Sequence, residues 1–280
     1  MRYPHESARL AQLPDDAPLR VLCPIDLARR SHGAVHRAIA LAGELEASLT
    51  LVHVAPADVG ATALSSVAAP RDARVHAGEF VPTVAGIARE SRTDLVVLDA
   101  TESKRHEPMI DPGAEQLAQL ARCPVLIVRR KSAAQYAAVL VAAEHSAVFD
   151  RVIRAASALR LLQGEPVAII HGFESGHGGL LHGASLDAAA ARRNLEEWER
   201  AAVRRLRRDL DDAGIVSDHF RMMFHPSRSR RQMQKEVRQL RPDLIVVATA
   251  NLPALERVMR PAVGNDALRR NPCDILLGPL

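Results

Sequence analysis

Cysteine, aromatic residues and long apolar runs are all scarce in this chain. Its 280 residues include three cysteines and one tryptophan, and only 3% are aromatic. Cys23, Cys123 and Cys273 are odd in number and far apart, so they form no disulfide framework and point to a reducing cytoplasm. The shortage of aromatics argues against a stacking platform for single-stranded nucleic acid. No apolar run approaches about 18 residues, so no membrane-spanning helix is expected. Met1 to Asp16 lacks the apolar centre of a secretory signal. Walker A and Gly-x-Ser-x-Gly sequences are missing, and no motif places a Ser-His-Asp set, so covalent catalysis has no carrier. Neither a helix-turn-helix nor a zinc-finger signature occurs, which argues against sequence-specific DNA binding.

What is present fits a soluble globular protein, with 48% hydrophobic and 25% charged residues. The length allows two domains of roughly 140 residues. Net charge is +4, from 37 basic and 33 acidic residues. Between Arg192 and Arg241 there are fourteen Arg/Lys against eight Asp/Glu, so the basic excess is local. Arg204, Arg205, Arg207 and Arg208 share a helix with Asp209, Asp211 and Asp212 and read as a solvated face. Arg228, Arg230 and Arg231 fall after a strand, where they are free to meet an anion, or serve as surface charge.

The chain repeats itself. Asp94–Leu98 (DLVVL) matches Asp243–Val247 (DLIVV), and Cys123–Ile127 (CPVLI) matches Cys273–Leu277 (CDILL). His76 likewise falls on His225. Nearer the start of each half the offset is smaller. Leu51-Val52-His53 falls on Ile169-Ile170-His171, and Asp26 falls on Glu144. Two offsets imply one insertion in the second half, between its second and third strands. Short continuous apolar runs predict strands buried on both faces at Arg20–Ile25, Ser48–Val54, Ala73–His76, Leu95–Asp99 and Val125–Arg129. Val139–Ala143 and Val167–His171 repeat the first two.

Helical spacing predicts a helix after Ser31, through Val35, Ala38, Ile39, Ala42 and Leu45. It predicts another after Ser146, through Phe149, Val152, Ile153, Ala156 and Leu159. The insertion reads as an amphipathic helix from Ser185, with Leu195, Trp198, Ala202, Leu206 and Leu210 on one face and Gly214 as its stop. Pro56 to Asp72 stands in its place in the first half and reads as a short or missing helix. The pattern predicts two doubly wound parallel-sheet α/β domains, 17–131 and 136–280, joined by a linker at Lys131–Gln135.

Over nearly all of 17–280 the order of these pieces resembles the tandem universal stress proteins. The resemblance rests on Cys23-Pro24-Ile25-Asp26, the Leu51-Val52-His53-Val54 strand, the DLVVL strand in both halves, and the closing Cys-Pro-Val-Leu-Ile-Val with its counterpart at 273–277. The second ending looks most like the E-type tandem members. The resemblance implies a stress-response role, a non-enzymatic binding or regulatory module, and an intramolecular pseudo-dimer through the fifth strands, with a homodimer as a further option.

ATP-binding members of that family carry Gly-x2-Gly-x9-Gly-Ser/Thr after the fourth strand. Glycines admit the phosphates, and a helix N-terminus attracts them. The first half has Asp99, Glu102 and Asp111-Pro112 at those places, with the loop one residue short. Asp111 suits an N-cap and Pro112 a first helical residue. The carboxylates repel a triphosphate at on the order of 1 kcal/mol or more. The second half keeps the spacing as Ala248-x2-Asn251-x9-Pro261-Ala262, losing an N–H and a hydroxyl, while Arg257 and Arg260 offer replacement phosphate ligands.

Both loops therefore read as degenerate. Pro24-Ile25-Asp26 matches the family's nucleoside contact, with Val52 on the neighbouring strand and Glu144 replacing Asp26 in the second half; a helix or turn cap is the plainer reading of both acids. ATP held by Asp26 or by the second half is the alternative. A zinc, lipid or small-anion ligand is a further one, zinc resting on His171, His177 and His182 beside a Gly-rich loop. His53 and His171 read as structural, and His76 and His225 as residues at strand ends near the cleft rim.

Overall fold

Branched apolar residues in short runs resist helix and suit a pleated sheet covered on both faces. The computed structural model describes residues 18–25, 33–56, 73–100, 112–130, 134–143, 147–163, 167–173, 220–226, 239–248 and 273–279. It also describes 193, 197, 200–201, 203–208, 210–211 and 215. The strands are β1 (Arg20–Ile25), β2 (Ser48–Ala55), β3 (Ala73–Ala77), β4 (Leu95–Asp99), β5 (Val125–Val128), β6 (Val139–Ala143), β7 (Val167–Phe173), β8 (Phe220–Pro226), β9 (Leu244–Ala248) and β10 (Asp274–Gly278). The helices bounded among the described residues are α1 (Gly33–Glu44), α2 (Phe80–Glu90), α3 (Pro112–Ala121) and α4 (Ala147–Ala158).

The ten strands form one sheet in the order β3-β2-β1-β4-β5-β10-β9-β6-β7-β8. Each half is parallel throughout, and the halves meet where β5 and β10 pair antiparallel, Leu126 opposite Leu276. The expected association through the fifth strands is therefore made within one chain. The strand predictions hold to within a residue or two. β5 stops before Arg129 because the N–H groups of Arg129 and Arg130 turn to the Asp274 carboxylate at 2.8 Å each.

Alternation along each strand feeds two cores. Val21, Cys23, Leu95, Val97 and Leu276 face α1 and α4, while Leu22, Val96, Val125, Ile275 and Leu277 face the side of α2 and α3. The first of these cores runs unbroken across both halves. It also takes in Leu206, Leu210 and Ile215 of the insertion, where residues 203–208 and 210–211 are helical. Burying each leucine contributes about 1.5–3 kcal/mol. Arg204, Arg205, Arg207 and Arg208 are exposed, as expected of a solvated face. The Ile215 N–H donates to the Leu210 carbonyl at 2.9 Å, the six-to-one bond of a Schellman closure. Gly214 and the stretch 57–72 lie outside the described residues.

The aspartate that opens each repeated DLVVL-type strand has a structural task. Asp94 Oδ2 accepts the Arg20 N–H at 2.9 Å, and the Asp94 N–H donates to the Arg20 carbonyl at 2.8 Å. Asp243 does the same for the second half, accepting the N–H groups of Ala137 and Ala138 at 2.9 and 3.0 Å and donating to the Ala138 carbonyl at 2.9 Å. In both halves this pair of interactions sets β1 beside β4, or β6 beside β9, at the amino end.

Candidate functional site

Strand order reverses between β1 and β4, and again between β6 and β9. In open α/β sheets ligands bind in the crevice beyond the carboxyl ends at such a point. The antiparallel junction makes the two crevices open at opposite ends of the sheet. No one small ligand spans both.

At the first crevice the register places Pro24 beside Val52 and Ile25 beside His53. Pro24, Ile25 and Val52 are all buried. His53 is half-buried, and its Nδ1–H donates to the Ile25 carbonyl at 3.0 Å, since a carbonyl can only accept. That bond places a proton on Nδ1. It supports the structural reading of His53. His76 is half-buried on the edge strand β3, opposite Val54.

Asp99 ends β4 with its carboxylate exposed in the crevice. Its Oδ1 accepts the Ala34 N–H at 2.8 Å, in the first turn of α1. A Cβ on Gly33 would come within 3.1 Å of that oxygen, so the helix end and the carboxylate are closely fitted. A helix N-terminus carries partial positive charge and is a natural anion site. Here the protein's own carboxylate occupies it. The sequence assigned Asp99 to the phosphate loop but gave no sign of the bond to α1, because 65 residues separate the partners.

Ala248 holds the equivalent place in the second half. It is buried, paired with Gly278 and packed in the core that contains Val152 and Ile153. Thus one crevice carries a charge where the other carries a methyl group. The remaining predicted site residues, Asp26, Glu144, Asn251, Arg257, Arg260, Pro261 and Ala262, lie outside the described residues. So do Glu102, Asp111, His177, His182, Arg228, Arg230 and Arg231.

All three cysteines are free and buried. Burial, and secondarily the Asp99 carboxylate, pushes the Cys23 thiol up to about 12. Burial, then Asp94, raises Cys123 to about 12. Burial, then Asp274 and Asp243, raises Cys273 as well. A thiol that stays protonated at neutral pH is a weak nucleophile and metal ligand. Cys23 sits inside β1, and Cys273 directly precedes β10. Among the described residues no three His, Cys, Asp or Glu side chains group to hold a metal ion, and no helix is long and apolar enough to cross a membrane.

No protein-family model matches the chain, and no curated protein sequence matches it. Solved structures do. A functionally unknown protein from Pseudomonas aeruginosa PAO1 superposes with a TM-score of 0.63 at 14% identity, over 97% of this chain and 94% of its own. A protein from Pseudomonas aeruginosa UCBPP-PA14, named provisionally as a universal stress protein, gives 0.61 at 15% identity over 95% and 94%. A universal stress protein from Archaeoglobus fulgidus DSM 4304 gives 0.54 at 16% identity over 93% and 98%. The chain has the universal stress protein fold over nearly its whole length.

Proposed function

We propose that this chain is a tandem universal stress protein, with domains at 17–131 and 136–280, that serves as a non-enzymatic binding and regulatory module in the cytoplasm. Its first crevice is closed to nucleoside triphosphates. The observation that carries this reading is the Asp99 carboxylate bonded to the Ala34 N–H. A phosphate entering there would lose the helix end to a resident anion and be repelled by it, at on the order of 1 kcal/mol or more. The ligand of this module is then a protein partner or a small molecule other than ATP.

A second reading has one observation in its favour. Ala248 puts no charge at the corresponding place in the second half, so that half is the better host for a nucleotide, with Arg257 and Arg260 as phosphate ligands. Both readings meet one experiment, thermal unfolding with and without millimolar ATP–Mg, with zinc as a parallel arm. A ligand at 100 times its Kd adds about 2.7 kcal/mol. No shift with ATP is the expected result. A shift abolished by Asp26→Ala overturns the closed first crevice. A shift abolished only by replacing Arg257 and Arg260 assigns ATP to the second half. A zinc shift lost on replacing His177 and His182 would make the protein a metal binder.

A further inference from the structure

The segment joining the two halves is held at both ends and in its middle. At its entry the N–H groups of Arg129 and Arg130 donate to Asp274 Oδ1, each at 2.8 Å. At its exit the N–H groups of Ala137 and Ala138 donate to Asp243. Between them Tyr136 donates its hydroxyl to Asp274 Oδ2 at 2.8 Å, and the Ala134 carbonyl accepts from Arg37 Nη1 at 2.8 Å. Arg130 Nη1 lies 3.3 Å from Asp243 Oδ2.

Asp274 is wholly buried and Arg37 nearly so, and Arg37 Nη2 lies 3.8 Å from Asp274 Oδ2. The Arg37 guanidinium covers the Tyr136 ring at 4.4 Å, and Arg130 approaches it at 5.7 Å. Burial, then the Asp274 charge, holds the Tyr136 phenol far above its ordinary range, so it remains a donor. A buried carboxylate needs such partners, because an unpaired charge in the interior is strongly unfavourable.

The members come from different parts of the chain. Arg37 sits on α1 of the first half, one turn after Ala34, whose N–H is held by Asp99 in the crevice. Asp274 opens β10 of the second half. The first half has Pro124 at the place of Asp274. Among the described residues the junction therefore has a single buried carboxylate of this kind, not a symmetric pair.

We infer that Asp274 is a latch that makes the two halves one cooperative unit, with Arg37 and the Arg129 and Arg130 N–H groups as the first half's hold on it and Tyr136 as the buried anchor of the joining segment. This is a conformational device, independent of which ligand the crevices take. A residue that merely added stability would weaken both halves together when changed. A latch, when changed, lets them open separately.

Hydrogen–deuterium exchange of the full chain distinguishes these. Peptides from β1 and β2 are compared with peptides from β6 and β7, in urea below the midpoint where large openings dominate. In the unaltered protein the two sets should be protected to within about threefold. Arg37→Met keeps most of the side-chain volume and removes the charge, and should drive the two sets apart by tenfold or more. Tyr136→Phe removes one hydroxyl, leaves the fold intact, and should part them in the same direction by a smaller factor. Separate protection in the unaltered protein would overturn the proposal. So would a parallel loss in both variants.

Discussion

Val152 of α4 occupies the space that a side chain at position 278 would need. A Cβ on Gly278 would overlap Val152 Cγ2. Gly278 ends β10, and its repeat counterpart in the first half is Val128, which ends β5 and lies in the same core as Ala34 of α1, the counterpart of Val152. The first half thus sets valine on the strand beside a helix bearing alanine, and the second sets glycine on the strand beneath a helix bearing valine. Gly278→Ala should therefore cost about 1–3 kcal/mol, the usual penalty for overfilling a packed core. Val152→Ala alone should also destabilise, by opening a void. Combined, the two should cost less than their sum, with a coupling of about 0.5–3 kcal/mol in a urea double-mutant cycle. Strict additivity would show that the two residues do not share this space.

The bond between Asp99 and Ala34 predicts a local effect on α1. Asp99→Ala removes a side-chain acceptor from the helix's first turn and should cost about 0.5–2 kcal/mol, the range for losing such a cap. Asp99→Asn keeps an acceptor and should cost less. Amide exchange at Ala34 should speed up in the alanine variant, ahead of any change at Ala38 in the middle of the helix. Unchanged exchange at Ala34 would mean that the carboxylate does not hold the helix end.

The first-half strands and the repeat were legible because period and length carry them. Continuous apolar runs of four to eight residues bounded by polar ends give β1, β4 and β6 with no error in their limits. The crevice was legible in part. Pro24 and Val52 are neighbours in the parallel register of β1 and β2, which follows from the strand order. Less legible were contacts that depend on distant pairs. Asp274 gave one usable signal, a charge opening an otherwise apolar strand, since buried charges need partners. Arg37 and Tyr136 gave none, because a lone arginine on a helix and a tyrosine in a linker are both ordinary surface residues in a sequence. Asp94 and Asp243 were visible as a repeated letter, but their bonds to the start of the neighbouring strand belong to the sheet and not to the motif.

Helix ends offer a second stability test. Glu46 has φ 51°, and the bonds from Ala47 N–H to the Ala42 carbonyl and from Glu46 N–H to that of Gly43 complete a Schellman closure. A side chain in the left-handed region is unfavourable, and an acid at a helix C-terminus opposes the dipole. Glu46 is exposed, so little packing is lost on removing it. Glu46→Gly should raise stability by about 0.5–1 kcal/mol, read as a higher urea midpoint with an unchanged slope. Arg160, at φ 53° after α4, is the contrasting case. Its guanidinium donates to the Glu44 carbonyl at the end of α1 at 3.0 Å. Arg160→Gly relieves the same strain but loses a contact between the halves, so its gain should be smaller or absent.

The buried thiols set an alkaline limit. An unfolded cysteine ionises near 9, whereas Cys23 and Cys123 in the folded protein are held up to about 12. A raised folded-state value favours the protonated thiol, so this contribution is fully present below pH 9 and is lost as pH climbs from 9 towards 12. Within that window the unfolded chain releases protons that the folded chain keeps, and stability falls by up to about 1.4 kcal/mol per pH unit for each thiol. Cys273 is raised as well and adds to the slope. Urea midpoints measured at pH 8, 9 and 10 should decline above pH 9. The double variant Cys23→Ala, Cys123→Ala should lie lower at pH 8, from lost packing, yet decline less steeply between pH 9 and 10. Equal slopes for the two proteins would mean that these thiols are not desolvated as the fold places them.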